Sequence, residues 1–196
     1  MEVASIWAFH RDPAQVWEFY GRRLSVLTEA EPNEAHHALA ELERRGLVAA
    51  IVTQNIDVLH ERAGSRNVVE VHGSVRTASC PVCGLRVPQA EVLERLPLPT
   101  CAACGAVLKP DVVMFGELLP AREADRAFEL AREAALLLVV GSSLEVHPIA
   151  ALPDETLAAG GELAIVNRGE TPYDTVASLK IDASAGAVLS AVVEAL

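Results

Sequence analysis

LVAAIVTQNID, residues 47–57, is the stretch whose reading decides the fold. Its first seven residues form a near-continuous apolar run, the pattern of a strand buried on both faces of a parallel sheet. Gln54, Asn55 and Asp57 then set three hydrogen-bonding side chains just past the strand, where open α/β sheets build their ligand sites. Taken alone, the cluster reads equally well as a polar loop in which Asp57 or Asn55 caps the next helix.

The flanking chain repeats an alternation of helices and strands. Asp12-Pro13 reads as an N-cap with proline at the first helical position, opening a helix to about Leu27 with Val16, Phe19, Tyr20 and Leu24 near one face. Pro32-Asn33 opens a second helix, with Ala35, Leu39 and Leu42 inward and Gly46 closing it. Beyond the opening stretch, the pattern predicts a short strand over 68–71, a helix over 120–134 and a buried strand over 135–140. It then predicts a helix over 148–159 disturbed by Pro153, strands over 163–166 and 179–181, and a closing helix over 185–195. Strands alternating with helices imply a parallel sheet covered on both faces. The strand ends then carry Gln54-Asn55-Ile56-Asp57, Gly141-Ser142-Ser143 and Asn167-Arg168.

Residues 80–104 break this rhythm with an insert rich in Cys, Pro and Gly. Its four cysteines are the only ones in the chain and form two C-x2-C pairs, Cys80/Cys83 and Cys101/Cys104, separated by about 17 residues. Each pair offers two thiolates from one tight turn, and Gly84 and Gly105 directly follow the second cysteine of each. Four thiolates fill a tetrahedral zinc site and leave no open position, so the expected role is structural. Two disulfides are the alternative, disfavoured in a chain without an export signal.

The chain has 196 residues, half of them apolar, which suits one domain or one domain with a small insert. A net charge of −11 repels phosphate backbones and excludes nucleic acid as a natural partner. No basic start followed by an apolar run resembles a signal peptide, and no stretch is long enough for a membrane span. A cytoplasmic protein is expected. The oligomeric state is not legible.

Three further stretches carry polar or small residues at strand ends. His72 follows a short strand and precedes Gly73; a lone histidine there is either structural or a catalytic base. VVMFGE, residues 112–117, follows the second cysteine pair and reads as a buried connector. Gly141-Ser142-Ser143 is either a plain turn or a point of close approach for a phosphate or ribose.

Together, TQNID, the VHG histidine, the two cysteine pairs, VVMFGE, GSSLEVHP and a later IVN occur in the order found in the sirtuins, and the chain resembles that family from near Phe9 to its end. The resemblance implies a Rossmann-like α/β domain with a parallel sheet and helices on both faces. That domain is split into residues 1–76 and 111–196 around a small zinc-binding domain at 77–110. It implies NAD and zinc as cofactors and an acyl-lysine protein or peptide as partner. By position, His72 is the implied catalytic base. Gln54, Asn55, Ile56 and Asp57 would surround the nicotinamide and its ribose. Gly141, Ser142 and Ser143 would hold the ribose and phosphate region, and Asn167, Arg168 and Ala185 the adenosine end. Val113, Phe115, Gly116 and Glu117 on one side, and Leu144 and Val146 on the other, would sandwich the substrate backbone by strand addition. The implied reaction is protein-lysine deacylation, yielding nicotinamide and O-acyl-ADP-ribose. An ADP-ribosyltransferase of the same family, or an inactive zinc-stabilised module that binds acylated peptides, are the alternatives.

Tyr20 and Arg23 lie three apart, on one helix face. The pair resembles the Tyr-x-x-Arg signature of sirtuins that accept succinyl or malonyl groups, since a guanidinium grips a carboxylate with two hydrogen bonds. A surface arginine beside a core tyrosine is the plain reading. The chain departs from the family pattern in lacking the first strand and the glycine-rich turn that follows it. Weakened NAD binding is therefore expected; either Met1 is a wrongly chosen start of a longer protein, or the chain is a truncated, inactive relative. Met114 and Ser142 stand where tryptophan and threonine are common.

Overall fold

The computed structural model describes residues 2–196. The chain divides into two compact units: residues 1–31, 55–58 and 72–120 form one, and residues 32–54, 59–71 and 121–196 the other.

The first unit begins with helices α1 (Ile6–Arg11) and α2 (Pro13–Glu29). Asp12 caps α2 by accepting the Gln15 N–H, with Pro13 in the first turn, as the sequence predicts. Such a cap is worth about 1 kcal/mol. Three antiparallel strands follow: β3 (Gly73–Ser79) at the centre, flanked by β4 (Arg86–Pro88) and β5 (Lys109–Val112). The short helix α5 (Gln89–Glu94) follows β4. One core joins these elements: Val16, Trp17, Tyr20 and Leu24 of α2 pack with Val75, Val87, Val92 and Leu108. The Trp17 indole, fully buried, donates to the Leu108 carbonyl at 2.7 Å. This antiparallel sheet was not expected from the sequence. A register shift between Gly73 and Ala78 breaks the alternation by which β3 would be recognised.

The second unit holds two parallel ladders. Strand β1 (Ile51–Thr53) pairs with β2 (Val68–Glu70), the Cα partners running from Ile51 and Val68 to Thr53 and Glu70. Strands β6 (Leu136–Val140), β7 (Glu162–Val166) and β8 (Leu179–Ile181) form the other, in that order. Helices cover both faces of the second ladder. Leu138 and Val140 pack against Ala38 and Leu39 of α3 (Glu34–Arg44) and Leu189 of α8 (Ala185–Ala195), in a cluster that also holds Ile51 of β1. Leu137 and Val139 face Leu157 of α7 (Leu152–Ala158). This is the period-2 division of side chains expected of a strand buried between two layers. Helix α6 (Ala121–Glu133) precedes β6, and the turn α4 (Leu59–Arg62) links β1 to β2.

Several boundaries differ from the sequence expectation for local reasons. The strand predicted over 47–53 starts only at Ile51, and Leu47 is exposed. Gly46 takes φ +76°, which lets the N–H groups of Leu47 and Val48 both donate to the Leu42 carbonyl, so these residues close α3. Strand β6 was expected to be buried, yet Leu136 is 55% exposed because, among the described residues, β6 pairs on one side only. The helix predicted over 148–159 is divided into a 3-10 turn, Ile149–Ala151, and α7, with Pro153 in the first turn of α7, where a missing N–H costs nothing. No described helix is long and apolar enough to cross a membrane.

Candidate functional site

The cysteine pairs meet as two matched turns. In the first, Cys80 N–H donates to Leu85 O at 2.8 Å and Gly84 N–H to Cys80 O at 2.9 Å. In the second, Cys101 N–H donates to Ala106 O and Gly105 N–H to Cys101 O, both at 2.8 Å. Gly84 and Gly105 take φ +75° and +77°, a conformation in which a side chain would be strained. The four sulfurs all lie within 4.8 Å of one another, with Cys80–Cys104, Cys83–Cys101 and Cys83–Cys104 separations of 3.4, 3.5 and 3.7 Å. Four sulfurs each about 2.3 Å from a central zinc ion stand roughly 3.8 Å apart. The cluster therefore fits that ion, and a disulfide, at about 2.05 Å, does not describe it. The backbone N–H of Cys83 is the main cause that lowers the Cys80 thiol to about 6, favouring the thiolate a metal needs.

The polar turn after β1 and the histidine after β2 come together in the first unit, which includes both residues 55–58 and His72. Main-chain bonds fasten both to the antiparallel sheet. Ile56 O accepts the Val75 N–H at 3.0 Å, and His72 O accepts the Val113 N–H at 2.9 Å. Gly73 is required beside His72: a Cβ there would stand 2.2 Å from the Asp111 carbonyl. His72, Asp57 and Ile56 are half-buried, and Asn55 is exposed. Val58, the residue after Asp57, has φ +61°. A β-branched residue in that region is strained.

The VVMFGE stretch forms a clamped turn in the same unit. The Glu117 carboxylate points back into it, accepting the Met114 N–H at 2.8 Å and pairing with Lys109 Nζ at 2.9 Å. Lys109 also donates to the carbonyls of Pro110 and Val112. The main chain of Phe115 is committed to the start of the chain: Phe115 N–H donates to Ala4 O at 2.9 Å, and Phe115 O accepts the Ile6 N–H at 3.0 Å. Sequence reasoning missed this clamp. Its only signal is that Lys109 is one of two lysines in the chain. On α2, Tyr20 is buried, and burial raises its phenol while nearby Arg23 opposes that shift. Arg23 is exposed and lies over the Phe19 ring, 4.4 Å from its centre.

In the second unit, the carboxyl ends of the parallel strands bring the remaining predicted residues to one side of the ladder. Gly141, after β6, takes φ +60°, and a Cβ on it would meet nothing within 4 Å, while its N–H donates to Val166 O at 2.9 Å. Ser142 Oγ accepts the Leu144 N–H, turning the chain at φ +55°, and Leu144 is buried under the sheet with Val139, Leu163 and Ile165. Val146 is exposed. Asn167, after β7, donates its N–H to Ile181 O and its side-chain amide to the carbonyls of Arg168 and Gly169. Lys180 of β8 holds this loop by donating to Gly169 O at 2.7 Å and pairing with Asp174. Ala185 opens α8, and Gln54 directly follows β1.

Comparisons with known proteins show the family. Residues 1–148 match the family described as the Sir2 family. The chain is 47% identical over 183 residues to an NAD-dependent protein deacetylase of Sulfurisphaera tokodaii, covering 92% of this chain and 72% of that protein. It is 42% identical over 192 residues to NAD-dependent protein deacylase 1 of Archaeoglobus fulgidus, covering 98% and 78%. Among solved structures, a Sir2 protein with a p53 peptide and NAD+ superposes with a TM-score of 0.95 at 39% identity, covering 98% of this chain and 81% of that one. A Sir2 protein bound to a propionylated peptide gives 0.95 at 40% identity, covering 98% and 83%.

Proposed function

The chain belongs to the Sir2 family, and from that premise we propose that it is an NAD-dependent protein-lysine deacylase. The observation that carries this reading is the joining of residues 55–58 and His72 in one compact unit through the Ile56–Val75 and His72–Val113 main-chain bonds.

NAD, when bound, supplies an electrophilic ribose carbon and nicotinamide as leaving group, and the acyl group ends on its ribose. With NAD bound, His72 would accept a proton from a hydroxyl of its ribose. Asn55 and Asp57 hydrogen-bond the nicotinamide end, and Gln54 and Ile56 border the ribose. Gly141, Ser142 and Ser143 border the ribose and phosphate region, where nothing stands within 4 Å of a Cβ added to Gly141, and Asn167, Arg168 and Ala185 take the adenosine end. Gly116 lends main-chain groups to the peptide, with Val113, Phe115, Glu117, Leu144 and Val146 shaping its edges. Because the Phe115 N–H and carbonyl are already paired, it contributes its side chain. Zinc on Cys80, Cys83, Cys101 and Cys104 is structural, since four thiolates leave no coordination position for a substrate. Four reduced thiols suit a cytoplasmic setting.

The acyl preference of this reading is for succinyl or malonyl groups at least as much as acetyl, through Tyr20 and Arg23. Burial and neutrality suit the Tyr20 phenol as a hydrogen-bond donor, and Arg23 is near enough to act on its charge.

Mixing the chain with labelled NAD and acyl-lysine peptides tests the proposal. Nicotinamide release with label on O-acyl-ADP-ribose is expected. Label retained on the protein target would favour ADP-ribosyl transfer instead, and peptide binding without nicotinamide release would reduce the chain to a binding module.

A further inference from the structure

The two tryptophans of the chain differ sharply: Trp17 is 0% exposed and Trp7 is 73% exposed. Trp7 is the second residue of α1, just after Ser5, which bridges to Phe115 in parallel register. That bridge brings the indole against the neighbouring turn. A Cβ on Gly116 would stand 3.0 Å from Trp7 Nε1 and 3.6 Å from its Cδ1, with Ile6 Cγ2 at 3.3 Å. A side chain there would be strained at its φ of +89° and would press on the indole. The residues on either side of the turn also turn apolar surface outward, Phe115 at 50% and Leu118 at 94% exposure. Large apolar side chains left exposed together mark contact sites. This patch is continuous with the turn to which the deacylase reading assigns the peptide backbone.

We infer that Trp7 determines peptide specificity, packing against a bulky apolar side chain within two residues of the acyl-lysine. The inference rests on the deacylase reading and deepens it by naming a substrate class. In an extended peptide paired along Gly116, side chains alternate between faces, so a neighbour of the acyl-lysine reaches the rim of the turn. The indole meets that neighbour there. Ile6 and Trp7 both approach Gly116, the neighbouring Phe115 and Leu118 are exposed, and the Glu117 carboxylate is paired with Lys109, which selects an apolar partner over a basic one.

The test uses the full chain and one acyl-lysine peptide sequence, with Ala, Leu, Phe, Arg or Glu placed at each position within two residues of the acyl-lysine. At one position, Phe or Leu should raise kcat/KM about 5-fold over Ala, mainly through KM. The preference should vanish in Trp7→Ala and persist in Trp7→Phe. An unchanged preference in Trp7→Ala, its loss in Trp7→Phe, or a preference for Arg would overturn the inference while leaving deacylation intact. Indole emission decides the matter without turnover, because Trp17 is already buried. A blue shift with the Phe peptide and none with its Ala counterpart supports the inference, and no shift with either overturns it. Absence of nicotinamide release from every peptide would instead remove the deacylase reading itself.

Discussion

Lys109 Nζ stands 2.9 Å from Glu117 Oε2, and the same oxygen accepts the Met114 N–H, so one ion pair closes the turn between the cysteine-bearing sheet and Gly116. Both side chains are mostly buried, at 19% and 25% exposure, which distinguishes the pair from the surface bridges on the helices. Lys109→Met leaves a half-buried carboxylate without its counter-charge. A loss of about 1–3 kcal/mol in stability is expected, read from urea unfolding. The KM for acyl peptide should rise while zinc content stays unchanged. Adding Glu117→Gln should recover part of the stability, since the orphaned charge is then gone.

Val58 should be replaceable with gain. Its φ of +61° costs a β-branched residue roughly 1–2 kcal/mol, against less than about 1 kcal/mol of extra chain entropy for glycine. Val58→Gly is expected to raise the urea midpoint slightly. An equal or lower midpoint would show that Val58 side-chain packing outweighs the backbone strain.

Removal of zinc should unfold the cysteine lobe. Titrating the thiols with an organomercurial is expected to release about one zinc per chain, with cooperative loss of stability. Cys101→Ser should express poorly or melt at a lower temperature. Release of no metal would leave the close sulfurs without an explanation.

Arg23→Met should separate two activities. Desuccinylation is expected to fall at least about tenfold, as for loss of a charge-assisted hydrogen bond, with deacetylation within about twofold. Equal loss of both would assign Arg23 a general role, in keeping with its position over Phe19.

Acid should loosen the loop that carries Asn167 and Arg168. The Thr171 hydroxyl and then the Lys180 ammonium hold the Asp174 carboxyl below its ordinary 3.8. A lowered folded pKa means that the stabilisation is present above 3.8 and is lost as pH falls further. Asp174→Asn should therefore melt below the wild type at pH near neutrality, with the difference shrinking below about pH 4.

Elements with local chemistry at their ends were legible in the sequence. Asp12-Pro13 and Asn33 announce α2 and α3, and the aliphatic run of β7 stands between clear breaks. The cysteine spacing announced its centre for the same reason, since each pair needs only its own turn. What depends on distant partners was hidden. Leu47 and Val48 look like strand residues until Gly46 lets them reach back to Leu42. The names TQNID and FGE locate a site, but do not show that Glu117 turns inward to Lys109, or that Phe115 spends its main chain on Ala4 and Ile6. Nor does helical spacing show that Arg23 rests on Phe19.

The one-sided ladder of β6 has a consequence at the bench. Among the described residues β6 pairs on one side only, so Leu136 to Val140 present an uncharged aliphatic border on which another molecule can stack. Mutual repulsion from the surplus of 11 negative charges opposes that stacking. Concentrated stocks should keep best in dilute buffer well above the isoelectric point, and cloud when salt masks the repulsion.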